Sequence, residues 1–329
     1  MKTSAMLETE SLQEDFEYTP CPVCHANEPE ICEKVNAPVS ETASVAFHLV
    51  RCRRCSLVYL NPRPAERISH RFYEQAYLPF VSAKEHQSGS PLEKLYALLR
   101  RWNLRWKRRQ IEALRPQKGR LLDVGCGTGE FLHEMVRHGW HGKGVERDRQ
   151  AVQFAMNRYR LQVYAGGVES LPDVGEAFDV ITMWHVLEHL YSPHQALQKV
   201  RDLLRPQGIL VIAVPNVESI DARFYGKHWV ALDVPRHLQH FSLKTLRQLC
   251  EMHQLKLIRW QNLTLDSFFN ALMSEMKTQR FRWLAPLKWM RAGMVGSAAV
   301  AAGFIKTQKN AYRGSTLLTF WKKSVAHSE

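Results

Sequence analysis

The sequence has no stretch of 18 consecutive apolar residues. Its longest run of apolar and small residues, Ala292 to Ile305, has 14, too short to span a bilayer by itself. Nothing near Met1 has the apolar core of a signal peptide; residues 1–19 are polar and acidic and read as disordered. Acidic residues are missing from Met276 to Ser328, where ten Lys or Arg collect. The glycine-rich stretch after Leu122 lacks the G-x-G-x-x-G spacing of a dinucleotide fingerprint. Disulfide-framework spacing is also missing: of seven cysteines, four fall in two C-x-x-C pairs, which suits a reducing compartment and a metal. The expected location is the cytoplasm, with a peripheral place at the inner membrane face as the alternative.

What is present is organised around Asp123-Val124-Gly125-Cys126-Gly127-Thr128-Gly129-Glu130. Apolar residues lead into it and a helical pattern follows, so it reads as strand, tight turn, helix. Glycine suits a backbone that closes on a ligand, because a Cβ would be in the way and φ > 0 is open to it. The helix starting near Glu130 aims free N–H groups at whatever lies over the turn. Asp123 would repel a pyrophosphate but can hold a cationic amino-acid moiety.

At 329 residues the chain is long enough for one full α/β domain plus an accessory module. The expected division is an acidic tail over 1–19, a zinc ribbon over 20–62, a helical linker or lid over 63–118 and the α/β domain over 119–325, with a helical insertion at 266–308. In the ribbon, Cys21 and Cys24 form one pair and Cys52 and Cys55 the other, enough for a closed tetrahedral Zn²⁺ site of structural type. His25 and Cys32 are the substitute ligands. Phe47–Arg51 and Leu57–Leu60 read as its strands. The net charge of +13 concentrates in 94–109 and after 276. That asymmetry points to an anionic partner (phosphate-bearing substrate, anionic lipid or nucleic acid) or to ordinary solvated helix faces.

From Arg120 strand and helix alternate. Strands are expected at 120–124, 142–145, 162–165, 178–184, 209–214 and 255–260, with a late strand at 315–322. Glu146, at the tip of the second of these, can accept hydrogen bonds from both hydroxyls of a ribose.

The motifs Asp123-Val-Gly-Cys-Gly-Thr-Gly129, Phe178-Asp179-Val180, Trp184-His-Val-Leu-Glu-His-Leu190, Val214-Pro-Asn216 and Pro235-Arg-His-Leu-Gln-His-Phe241 carry a resemblance. The chain resembles class I S-adenosylmethionine (SAM)-dependent methyltransferases of the ubiquinone-biosynthesis and glycan-cluster type. The resemblance implies a Rossmann-like seven-stranded sheet with an antiparallel last strand, here with the ribbon in front and the helical insertion before that strand. It implies SAM as methyl donor, held by Asp123, Gly125, Cys126, Gly127, Gly129, Glu146, Glu169 and Trp184. The implied activity is O-methylation of a small-molecule or glycan-type acceptor. An RNA methyltransferase and a non-catalytic SAM- or glycan-binding module are the rival readings.

Ligands of an open parallel sheet bind beyond the carboxyl ends of its strands, where His185, Glu188, His189 and His237 are expected. His185 and His189, four apart, are expected on one helical face. They serve as a general base for a hydroxyl acceptor, or the four residues hold a second, divalent metal, as in the small-RNA 2′-O-methyltransferases they resemble, or they simply pack. The insertion, basic and aromatic, is a cover for the substrate pocket or a contact with an anionic membrane surface.

Overall fold

The computed structural model of the chain describes residues 15–38, 44–73, 91–171, 177–278, 285–304 and 312–324. Most of the expected acidic tail, the Ser88–Ser90 break and the Phe281 and Trp283 part of the insertion lie outside the described residues.

The α/β part begins with helix α1 (Pro91–Glu112), which leads into strand β6 (Arg120–Val124). Helix α2 (Glu130–Arg137), β7 (His141–Glu146), α3 (Arg149–Tyr159), β8 (Gln162–Ala165), β9 (Phe178–Trp184) and α4 (Pro193–Leu203) follow in turn. Then come β10 (Leu204–Pro215), α5 (Ile220–Tyr225), α6 (Leu243–Met252), β12 (Leu255–Asn262), α7 (Thr264–Lys277), α8 (Ala285–Phe304) and β13 (Thr316–Lys323). The seven strands form one sheet in the order β12-β13-β10-β9-β6-β7-β8. β13 is antiparallel to both its neighbours, and the pairs from β10 to β8 are parallel.

Each central strand is apolar on both faces, because helices cover both. Leu121, Val180, Val211 and Phe320 face one side, with Ile111 of α1, Phe131 and Met135 of α2 and Ala155 of α3. Their neighbours Leu122, Ile181, Ile212 and Trp321 face the other, with Leu197 and Val200 of α4 and Leu246 and Leu249 of α6. That one-residue offset is the two-residue period of a strand read out as two cores.

Some of the expected motif residues serve the fold. Asp179, almost fully buried, gathers Arg115, Arg205 and the backbone N–H of Arg120, so it ties β9 to the start of β6 at the end opposite the glycine turn. Asn216 donates to the carbonyls of Tyr312 and Gly314 and accepts from the N–H of Glu218, clamping the loop after β10 to the approach of β13.

The N-terminal module consists of β1 (Phe16–Glu17), β2 (Pro29–Pro38), β3 (Ser44–Cys52), β4 (Val58–Leu60) and β5 (Arg63–Pro64). Its main sheet runs β11-β4-β3-β2, where β11 (Gln239–His240) comes from the α/β part of the chain, between α5 and α6. Val50, Leu57 and Tyr59 pack into the core with Phe241 and Leu246. Leu49, Val58 and Leu60, pointing the other way, meet Trp229, Leu238, Ala271 and Ala292. The module's sheet is thus a shared wall between the α/β core and the helical insertion. No described helix is long and apolar enough to cross a membrane.

Candidate active site and metal centre

The turn after β6 holds three glycines at positive φ: Gly125 at 67°, Gly127 at 53° and Gly129 at 81°. Their reasons differ. A Cβ on Gly125 would lie 2.5 Å from Val186, and one on Gly129 would lie 2.7 Å from Leu161. A Cβ on Gly127 would meet nothing within 4 Å among the described residues, so here the backbone lies against space that no described residue fills. Gly129 starts α2 without a side-chain cap hydrogen bond, so the positive end of the helix faces the turn with no capping side chain in the way.

Glu146, at the tip of β7, accepts from the N–H of Gly127 (2.8 Å) and of Asp148 (2.9 Å). The carboxylate is thus fixed by backbone, with lone pairs left over. Cys126 packs against Gly144, where a Cβ would stand 2.6 Å from its Sγ; burial raises its thiol pKa, and what it offers a ligand is backbone. Asp123 is 1% exposed and accepts from the Thr182 hydroxyl at 2.6 Å. Burial pushes its carboxyl up to about 7, against the pull of Thr182 and the Lys107 ammonium. A cationic ligand beside Asp123 would return it to the ionised form.

Trp184 ends β9. Its ring carries the Lys107 ammonium 4.3 Å from the centroid and Phe131 edge-on at 5.1 Å, and its buried Nε1 has no hydrogen-bond partner among the described residues. Glu169 is engaged by Arg147, which also reaches Glu66. One Glu169 oxygen is left buried and unpartnered among the described residues. The open space over Gly127, the cation-seeking Asp123 and these orphaned polar atoms fit SAM, whose methionyl end is cationic and whose nucleoside end needs hydrogen-bonding groups.

At the ends of β9 and β10 the histidines divide into two settings. His185 sits at φ 55°, a left-handed conformation unusual for a side-chain-bearing residue, with its N–H on the Ala213 carbonyl at 2.9 Å. Its ring bridges Asp266 (3.0 Å) and Glu188 (3.3 Å). Burial opposes charge there, but the two carboxylates prevail and lift its pKa to about 9, so the ring is a cation at neutral pH.

The expectation of one helical face for His185 and His189 fails. Leu187–His189 is a single 3₁₀ turn, and the left-handed residue before it turns His185 towards Asp266. His189 instead meets His237, ring centroids 4.6 Å apart. Its Nδ1 lies 3.0 Å from the Arg236 carbonyl and 3.1 Å from the Tyr73 hydroxyl. The His237 Nδ1 lies 2.8 Å from the Ala231 carbonyl. Burial and the nearby His237 push His189 down to about 4, and burial pushes His240 down to about 3; both are neutral. Glu188, His189 and His237 bring ligand atoms within 4.8 Å of one another.

Asp266, Lys107 and Tyr73 were not among the expected site residues. Asp266 follows β12 by four residues and Lys107 lies within a run of basic helix positions, so no local pattern sets either apart.

In the N-terminal module the Sγ atoms of Cys21, Cys24, Cys52 and Cys55 lie within 4.8 Å of one another. The two knuckles repeat one geometry: His25 N–H reaches the Cys21 carbonyl at 2.9 Å, and Ser56 N–H the Cys52 carbonyl at 2.9 Å. Each knuckle turns through a positive-φ residue, His25 or Ser56. Cys32 points its thiol at the Leu49 carbonyl, and the His25 ring packs at a tilt against His194; neither joins the cluster. Four converging thiols, with no fifth donor among the described residues, fit a structural Zn²⁺. One zinc per chain is expected by elemental analysis, and Cys52→Ser should lose it and lower the melting temperature, since metal binding here is folding energy. A zinc-free wild type with an unchanged melting temperature would contradict the assignment.

Residues 96–259 match a family model described as a methyltransferase domain. The chain is 31% identical to a ubiquinone biosynthesis O-methyltransferase of Azorhizobium caulinodans over 38% of its own length and 52% of the relative's. A protein of the same name from Maricaulis maris is 34% identical, over 39% of this chain and 54% of that one. The chain thus spans about half the length of the curated relatives it matches. A solved TehB-like SAM-dependent methyltransferase from Corynebacterium glutamicum is 16% identical, with a TM-score of 0.42 over 71% of this chain and 100% of that one; a likeness that loose carries no argument about function. By the family match, the curated relatives and the order of the sheet, residues 96–259 belong to the class I SAM-dependent methyltransferases.

Proposed function

We propose that the protein transfers a methyl group from SAM to an oxygen of a small-molecule or glycan-type acceptor. The observation that carries this reading is the turn itself, with Gly127 facing open space between the buried Asp123 and the backbone-fixed Glu146. When bound, SAM supplies a methyl group on a positively charged sulfur that departs as a neutral thioether. The chain's part is to align the partners and to take the proton off the acceptor hydroxyl.

In this reading Asp123 receives the cationic methionyl end, Glu146 the ribose hydroxyls, and Trp184 walls the space between cofactor and acceptor. His185, a cation between Asp266 and Glu188, is unsuited as a base; it positions Glu188. The acceptor hydroxyl gives its proton to the Nε2 of His189 or of His237, rings whose Nδ1 already faces a backbone carbonyl. The acceptor oxygen then bonds the methyl carbon as the carbon–sulfur bond breaks, its electron pair passing to sulfur.

Small acceptors are favoured over RNA by the fate of the basic helix α1. Arg100 pairs with Glu130, Arg108 with Glu112 and Glu134, and Lys107 covers Trp184. Three of its cations therefore serve the methyltransferase core instead of an outer binding face. The insertion supports a contact with anionic lipid. Trp289, Met290 and Met294 of α8 are more than half exposed, in a region without acidic residues, as interfacial helices require.

Affinity for S-adenosylhomocysteine should depend on Asp123. Its folded pKa stands near 7 instead of the usual 3.8, and a cationic ligand favours the ionised form. Binding therefore strengthens as pH rises towards 7 and levels off above it. Asp123→Asn should flatten that pH profile and weaken binding about 10- to 100-fold, the worth of a hydrogen bond to a charged group. A wild-type affinity that is flat from pH 5.5 to 8, or a variant that binds as tightly, would count against the reading. For the lipid contact, co-sedimentation with phosphatidylglycerol vesicles but not phosphatidylcholine vesicles is expected, lost in Trp289→Ala; no sedimentation with either would remove it.

A further inference from the structure

Helix α7 buries an unusual face. A helix on the surface of a globular protein turns an apolar stripe inward, yet the buried residues of α7 are Ser267, Asn270, Ala271, Ser274 and Glu275. Most of these polar groups have partners. Ser267 accepts from Asn262 (3.1 Å), Asn270 donates to the Ser315 hydroxyl (2.9 Å), and the Ser274 hydroxyl accepts the N–H of Val230 (2.8 Å). Glu275 differs: it is fully buried, and neither carboxylate oxygen accepts a hydrogen bond among the described residues. The Arg291 guanidinium of α8 approaches it to 3.4 Å, which balances its charge and leaves its lone pairs open. On the neighbouring helix α5, Asp221 is also fully buried. Trp229 Nε1 (2.8 Å) and the Ser315 hydroxyl (2.7 Å) both donate to its Oδ2, while Oδ1 has no partner among the described residues. Tyr225, one turn further along α5, lies in the field of both carboxylates, which with burial raise its pKa. Its buried hydroxyl comes near Glu275 without reaching hydrogen-bonding geometry.

We propose that Asp221, Tyr225 and Glu275 form a subsite for a protonated amine carried by the acceptor, as on an amino sugar. Among the described residues the two buried carboxylates share one recorded cation, Arg291, and what they leave over is acceptor lone pairs. Ionised oxygens in that condition are costly. An ammonium brings one charge and three N–H donors, enough for Asp221 Oδ1, a Glu275 oxygen and the Tyr225 oxygen, and it balances the carboxylate that Arg291 does not. A neutral hydroxyl brings a donor without the charge, so the subsite distinguishes an amine from a hydroxyl or an amide at the same position. Asp266, which holds the His185 ring at the strand ends, precedes Glu275 by nine residues on the same helix, a rise of about 13 Å. The amine therefore sits on a different unit from the methylated oxygen, and the acceptor is longer than one sugar ring. Because all three groups are shielded from solvent, the ligand has to part α5, α7 and α8 to reach them.

The subsite rests on the methyltransferase reading for its purpose, but amine binding can be measured without it. The probe is the disaccharide of glucosamine, and its N-acetylated form is the uncharged control of the same length. Each would be titrated calorimetrically into the full-length protein at about pH 6.5, where the amines are charged. Binding of S-adenosylhomocysteine would be measured on the same samples. The wild type should bind the amine form about tenfold or more tighter than the acetylated form, the worth of a charged hydrogen bond. That comparison needs no variant. Asp221→Asn and Glu275→Gln should each weaken the amine form about tenfold or more, with S-adenosylhomocysteine affinity kept within about threefold as the sign of an intact fold. Equal binding of the two disaccharides by the wild type, binding of neither, or unchanged amine binding in both variants would overturn the subsite. Any of these with S-adenosylhomocysteine still bound would leave the methyltransferase reading standing. Selective amine binding by a protein that ignores S-adenosylhomocysteine would overturn that reading and keep the subsite.

Discussion

At the carboxyl end of β6 the backbone passes through three left-handed glycines within five residues, and the rest of the molecule is arranged to make that turn stable and useful. Gly125 and Gly129 are small because Val186, Leu161 and Ala155 press on them from neighbouring elements. Gly127 is small with no described neighbour pressing on it. The turn is held from the next strand, where Glu146 accepts the Gly127 N–H and Gly144 makes room for Cys126.

The other constraint is the way the N-terminal module is attached. A four-cysteine knuckle pair is too small for a core of its own, and here it borrows one from each side. Gln239 and His240 add an edge strand to its sheet, and His237 lies just before that strand. Whatever fixes β3 and β4 therefore bears on the segment that brings His237 to His189. The module and the strand-end histidines are mechanically joined, although the cysteines and the histidines occupy separate positions.

Much of the fold was legible because its signals are local. Strand periodicity, the glycine turn and the acid at the tip of β7 follow one another in order, and the late strand at Thr316–Lys323 announces itself by a run of apolar residues. Paired C-x-x-C spacing likewise foretold a cluster of four thiols. The surroundings of the strand-end histidines were not legible. His185 and His189 are four residues apart, and helical geometry would have put them together; a single left-handed residue separates them instead. Asp266, which holds the His185 ring, lies 81 residues away, and Lys107 comes from a helix whose basic residues look alike in sequence. β11 is two residues long, too short for any pattern, and gains its place only from the ribbon strand beside it.

In the function proposed above, the glycine turn is a ligand cradle. Hydrogen exchange of the full chain with and without S-adenosylhomocysteine tests it most directly. Slower exchange should concentrate on the peptides spanning Gly125–Phe131 and Glu146–Asp148, with the Cys21–Cys55 knuckles little changed. Unchanged exchange at the turn in the presence of saturating ligand, or protection confined to another part of the chain, would contradict the account at its root.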